Sequence, residues 1–221
     1  VLSIGLRAFA LCRSLTSITI PDGVTKIGYG TFQNCSSLKS IILPNSVERI
    51  EGCAFSGCSN VTDVYIGSGV KFIGSDAFNN HEITSIKVHP DNQKFAGINN
   101  CLICKANKKL ILGCKNSIVP EDGSVTSISA KAFSYCKGLR EIKIPDTIRS
   151  IAGESFCDTG LEEVIIPYGV QTIGKKAFYD CASLTSVTMP NSVTAMGDYV
   201  FAYCRNLKKI KFEGTLEQWK K

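Results

Sequence analysis

The sequence predicts a repeat solenoid, a right-handed β/α coil of about eight units of roughly 23 residues, with short parallel strands and one β-hairpin interruption in mid-array. Two observations carry that prediction. Phe9, Phe32, Phe55 and Phe78 stand 23 residues apart, and Phe133, Phe156, Phe178 and Phe201 follow at steps of 23, 22 and 23. Around each Phe one template returns: Ala-Phe, Cys at three, Leu at six, apolar residues at nine and eleven, often Pro, then Val-x-x-Ile-Gly. In one unit it reads Phe32, Cys35, Leu38, Ile41, Leu43, Pro44, Val47, Ile50; in a later one Phe178, Cys181, Leu184, Val187, Met189, Pro190, Val193, Met196, Gly197.

Each part of the template has its own physical reading. Leu-x-x-Ile-x-Ile alternates as a short strand with one buried face, and the following Pro cannot donate a ladder hydrogen bond, so pairing stops there. Strands separated by so long a return run parallel. Val-x-x-Ile begins the return path. Ala-Phe-x-x-Cys completes it with room for one helical turn, its apolar residues inward, stabilised by stacking because one turn cannot stand alone. Between Phe78 and Phe133 the spacing widens to 55 residues. The chain therefore divides into a first repeat block (1–88), an irregular insert (89–124) and a second block (125–221) of one solenoid. Within the insert, Cys101-Leu-Ile-Cys104 and Leu110-Ile-Leu112, extended to Cys114, flank a polar turn and read as a β-hairpin.

Composition narrows the function classes. The net charge of +6 is spread out, with small clusters at Lys105, Lys108 and Lys109 and at Lys208, Lys209 and Lys211, which does not form a nucleic-acid stripe. No apolar stretch is long enough for a membrane-spanning helix, and no signal-peptide layout opens the chain. Val1 to Phe9 reads as the second half of a repeat, so the chain is expected to start inside a longer protein.

These repeats resemble the BspA-like leucine-rich repeat family of bacterial and protist surface proteins. The most specific parts are Ile-Pro-x-x-Val-x-x-Ile-Gly-x-x-Ala-Phe, almost complete at Ile20 to Phe32 and Ile166 to Phe178, with Asn100-Cys-Leu-Ile and Leu112-Gly-Cys-Lys-Asn-Ser in the insert. The ending from Phe212 to Trp219 is similar to the closing segment of such modules. The resemblance implies a leucine-rich-repeat-like fold in a secreted or cell-surface protein that adheres to host proteins or to other cells. It supplies no binding residues. A protein or glycan ligand on host or neighbouring cells, a monomer in isolation and no cofactor are expected.

The remaining chemistry is sparse. Cys12, Cys35, Cys58, Cys136, Cys181 and Cys204 share one core-facing slot and read as buried thiols; Cys53 and Cys157 read as packing or surface variants. Cys101, Cys104 and Cys114 fall short of the four ligands of a structural zinc site, leaving a disulfide from Cys114 to Cys101 or Cys104 open in an oxidising compartment. His81 and His89 read as template substitutions, and acidic residues occur singly, so no catalytic constellation emerges and no metal site is expected. The sequons at Asn34 and Asn60 matter only in a glycosylating host.

A binding surface follows from strand geometry. The residue between the last two apolar positions of each strand points outward, giving a column of Thr19, Ile42, Tyr65, Lys87, Lys143, Ile165, Thr188 and Lys211. Two positions earlier lie Ser17, Ser40, Asp63, Ser85, Glu141, Glu163, Ser186 and Lys209. Ile42, Tyr65 and Ile165 are apolar or aromatic on a polar face, the pattern of interface anchors, and Phe72 is a similar oddity on the return segment. An adhesive module is the expected function; a passive spacer is the alternative, and a Cys-dependent enzyme a remote third.

Overall fold

The computed structural model describes residues 2–79, 82–215 and 217. His81, and Trp219 of the closing segment, lie outside the described residues. The chain divides into two compact units, Val1–Ala106 and Asn107–Lys221.

The first unit carries β1 (Leu2–Ile4), β2 (Val24–Ile27), β3 (Ser40–Ile42), β4 (Arg49–Ile50), β5 (Asp63–Ile66), β6 (Phe72–Ile73), β7 (Ser85–Val88), β8 (Phe95–Ile98) and β9 (Cys101–Cys104). The Val-x-x-Ile segments form a parallel sheet in the order β1-β2-β4-β6, and the Leu-x-x-Ile-x-Ile segments a second parallel sheet, β3-β5-β7. The register is one repeat exact: Ile27 pairs with Ile50 and Ile50 with Ile73, while Ile41 pairs with Val64 and Val64 with Ile86. β8 and β9 form an antiparallel hairpin closed by Asn99 and Asn100, whose φ of 49° and 60° give the twist that two-residue hairpin turns require.

The second unit carries β10 (Lys109–Leu112), β11 (Ser127–Ile128), β12 (Ser150–Ile151), β13 (Glu163–Ile165), β14 (Thr172–Ile173), β15 (Ser186–Pro190), β16 (Ala195–Met196) and β17 (Lys209–Glu213). Strands β10-β11-β12-β14-β16 are parallel neighbours in that order, and β13-β15-β17 form the second wall. Each unit is a β-solenoid. The two apolar runs of the insert are strands β9 and β10, as the sequence predicts, whereas the Asn99–Asn100 hairpin was not visible in it.

The return segment differs from expectation. Among the described residues no helical turn forms around the phenylalanines. The described residues two before and two after each Phe adopt left-handed backbone, with φ between 51° and 74° at Arg7, Leu11, Gly30, Asn34, Cys53, Gly57, Asp76, Lys131, Tyr135, Glu154, Asp158, Lys176, Asp180, Tyr199 and Tyr203. Two such residues four apart break any α-helix and turn every second N–H toward the next repeat. Gly30, Phe32 and Asn34 donate to the carbonyls of Gly52, Ala54 and Ser56 at 3.0, 2.8 and 2.8 Å, and Lys131, Phe133 and Tyr135 to those of Gly153, Ser155 and Cys157 at 3.2, 2.7 and 2.7 Å. The return segment is thus a third hydrogen-bonded wall. L-residues occupy most of these slots at a backbone cost. At exposed Tyr199, where both replacements lose the same ring, Tyr199→Val should be about 1–2 kcal/mol less stable than Tyr199→Gly, because the β-branched residue tolerates this conformation worst. Equal denaturation midpoints for the two variants would contradict the left-handed assignment.

Behind these walls the phenylalanines stack. In the first unit Phe9, Phe32, Phe55 and Phe78 lie 5.3, 5.2 and 5.6 Å apart between successive ring centroids; in the second, Phe133, Phe156, Phe178 and Phe201 lie 5.1, 5.1 and 5.5 Å apart. All are near parallel. The cysteine slot does more than fill space. Cys35, Cys58, Cys181 and Cys204 each donate a thiol proton to the carbonyl of the Phe one repeat earlier at 3.1 Å, and Thr159, in the same slot, donates to the Phe156 carbonyl. Burial pushes the Cys58 thiol up to about 12 and Cys157 to about 11. Cys12 is exposed, and all eleven cysteines, Cys101, Cys104 and Cys114 included, are free thiols.

One buried polar residue secures the insert to the first block. Asn92, fully buried, donates from Nδ2 to the carbonyls of Gly67 and Val70 at 2.8 and 3.1 Å. Its Oδ1 accepts the N–H groups of Lys94 and Phe95 at 2.9 and 2.8 Å.

Candidate functional site

The outward column predicted from sequence is assembled by the second wall of each unit. In the first unit Ile42, Tyr65 and Lys87 stand in register on β3, β5 and β7, with Ser40, Asp63 and Ser85 in register beside them. These residues line a shallow groove of about 390 Å³. Ile42 is 61% exposed, whereas Tyr65 is only half-buried between its neighbours. Thr19 is exposed on a run that forms no ladder strand and lies outside this groove. Phe72 is accounted for differently: it faces Arg49 one repeat earlier, whose guanidinium sits 4.2 Å above the ring. That is a cation–π pair within the return sheet.

In the second unit Ile165, Thr188 and Lys211 stand in register on β13, β15 and β17, beside Glu163, Ser186 and Lys209. Here the surface is deeper, a groove of about 800 Å³ that includes Ile165 and Lys143. Its apolar floor has three strongly exposed side chains, Ile118 at 68%, Ile165 at 66% and Tyr168 at 60%, with half-buried Ile142. An exposed apolar cluster of this kind costs solvation free energy and marks contact surfaces. Around it lie five carboxylates, Glu121, Glu141, Asp146, Glu163 and Glu213. Lys143 is paired with Glu121 at 2.6 Å, and Lys211 with Glu213 at 2.9 Å, a contact that raises the lysine's pKa. Glu141, Asp146 and Glu163 have no ion-pair partner among the described residues.

Two groove residues escaped the sequence reading, and both left a signal. Ile118-Val-Pro120 repeats the outward-inward-Pro order of Ile42-Leu-Pro44 and Ile165-Ile-Pro167, so Ile118 belongs to the same column inside the insert. Tyr168 follows Pro167 in a slot that holds Asp22, Asn45, Asp146 and Asn191 elsewhere. Among the described residues no group of three His, Cys, Asp or Glu is placed to hold a metal ion, and no helix is long and apolar enough to cross a membrane. His89 accepts the Asp91 N–H at 3.2 Å through Nδ1, a local turn contact.

With this geometry in view, a family model for the BspA type leucine-rich repeat region, in six copies, matches residues 1–102 and 113–221. The chain belongs to the BspA-type leucine-rich repeat family. The unmatched stretch, 103–112, falls in the insert. Solved structures agree on the fold of this BspA-type chain. A leucine-rich cell surface protein from Faecalibacterium prausnitzii is 24% identical with a TM-score of 0.63, over 99% of this chain and 71% of that one. A leucine-rich repeat protein from Bacteroides ovatus is 28% identical with a TM-score of 0.60, over 96% of this chain. The pneumococcal vaccine antigen PcpA is 19% identical with a TM-score of 0.54, over 81% of this chain. The chain spans 59% of the Bacteroides protein and 58% of PcpA. No curated protein matches the sequence.

Proposed function

We propose that this BspA-type chain is a non-enzymatic binding module of a secreted or cell-surface protein, adhering through its outward sheet faces to a protein or glycan of a host or neighbouring cell. The observation that carries the reading is the exposed apolar floor of Ile118, Ile165 and Tyr168 on a face whose other outward residues are polar or charged. A chain that served only as a spacer would gain nothing from keeping those side chains in water, where each large apolar group costs on the order of 1 kcal/mol or more. Family membership and the surface-protein name of the Faecalibacterium neighbour support the location.

Binding of the purified chain to an array of matrix proteins, mucins and glycans tests this, with the Ile42→Ser, Tyr65→Ser, Ile165→Ser triple variant alongside. Saturable binding by the wild type, weakened about tenfold or more in the variant, is the expected result. A folded wild type that binds nothing on the array would favour the spacer.

A further inference from the structure

Resting on that reading of the chain as a binding module, we propose that the groove of the second unit receives an extended polypeptide segment carrying Lys or Arg around an apolar anchor. Charge complementarity sets the sign. The chain as a whole has a net charge of +6, yet the groove gathers five carboxylates against Lys143. Lys143 and Lys211 are neutralised by Glu121 and Glu213, which leaves Glu141 and Glu163 exposed without an ion-pair partner among the described residues, while Asp146 lies beside Arg149, whose Nη1 donates to the Asp146 carbonyl. A basic partner relieves this like-charge crowding, and an acidic one would aggravate it.

The geometry specifies the chemistry further. Strand β13 begins the β13-β15-β17 ladder, and the adjacent run Glu141 to Ile144 forms no strand with it. Two hydrogen bonds link the two runs at their start, from Glu162 N–H to the Arg140 carbonyl and from Arg140 Nη1 to Glu162 Oε1, both at 3.0 Å. Beyond that point no backbone hydrogen bond joins the run at Ile142 to the run at Ile165 among the described residues, and main-chain groups left by such a gap are what an extended peptide recognises. Glu163 and Ile165 are also two residues apart on one face, a separation of about 6.6–7 Å in extended chain. A ligand strand running alongside presents its alternate side chains at the same interval. A basic residue over Glu163 thus sets an apolar residue over Ile165, so the recognised pattern is basic-x-apolar.

The test is fluorescence anisotropy with a labelled peptide repeating Lys-Thr-Val-Thr, a second repeating Glu-Thr-Val-Thr and a third repeating Lys-Thr-Ser-Thr. The full chain and its Glu141→Gln, Asp146→Asn, Glu163→Gln variant are compared, all three changes being isosteric at exposed positions. The Lys-Val peptide should bind the wild type in preference to both others, and its affinity should fall about tenfold in the neutralised variant and again at high salt. Absence of Lys-Val binding, equal binding of the Lys and Glu peptides, or undiminished binding by the neutralised variant would overturn the proposal. Array binding that survives neutralisation but is lost in the Ile42, Tyr65, Ile165 variant would overturn it too, while leaving the adhesive reading in place.

Discussion

Replacing Phe156 by Ala should destabilise the second unit by about 3–5 kcal/mol, the range for emptying a fully buried aromatic site. The ring is fully buried, with Phe133 and Phe178 each 5.1 Å away and nearly parallel, so truncation opens a cavity and interrupts two ring contacts at once. Its own backbone is also committed: its N–H donates to the Ala177 carbonyl, and its carbonyl accepts the Thr159 hydroxyl and the Cys181 thiol. Because each repeat touches only its neighbours, the loss should spread along the array. Phe9, 38% exposed with one stacking neighbour, provides the contrast; Phe9→Ala should cost less than half as much. Denaturant unfolding compares the two, and a Phe156→Ala loss below about 1.5 kcal/mol would refute the continuous aromatic core.

The second large effect is expected at Asn92. Asn92→Ala should cost the first unit about 3–5 kcal/mol, since it strands the carbonyls of Gly67 and Val70 and the N–H groups of Lys94 and Phe95 in a site with little access to water. The consequence is local as well as global. Hydrogen exchange should accelerate most over residues 92–105, where the Asn92 carbonyl also accepts the Lys105 ammonium at 2.6 Å. Unchanged protection in that stretch would show that the β8–β9 hairpin is held by its own ladder instead.

Much of this fold is legible in the sequence because strands and core obey a fixed period. Leu38, Ile41 and Leu43 announce an inward face by alternation, and the Phe spacing sets the length of each repeat. The return segment is hard to read because its decisive feature, left-handed backbone on either side of Phe, is filled mostly by Arg, Leu, Cys, Lys, Glu and Tyr, with residue types that tolerate it only at Gly30, Asn34, Gly57, Asp76, Asp158 and Asp180. Residue type carries a weak message there, since at most slots the stacked walls impose a conformation that local propensity opposes. Asn92 was equally silent: a satisfied buried amide and an exposed loop amide look alike in sequence. The outward column was readable at Ile42 and Ile165, since strand alternation places them. The groove around Ile165 needed Ile118 and Tyr168, which enter from the insert and from a turn where strand periodicity does not apply.

The third wall has a handed electrical character that the sheets lack. At the rungs of Phe9, Phe32, Phe55, Phe133, Phe156 and Phe178 the N–H groups two before, at and two after the Phe donate forward, Gly30, Phe32 and Asn34 to the following repeat and Lys176, Phe178 and Asp180 to Asp198, Val200 and Ala202. The sheets run the other way in part, as when Gly28 donates back to Ile4 and Gly74 to Ile50. Peptide dipoles in the wall therefore add rung upon rung, as they do along a helix, with the positive pole toward the later repeats of each unit. Such an array has a head and a tail, so a repeat can join it in one orientation only, and reversing a unit would set donor against donor.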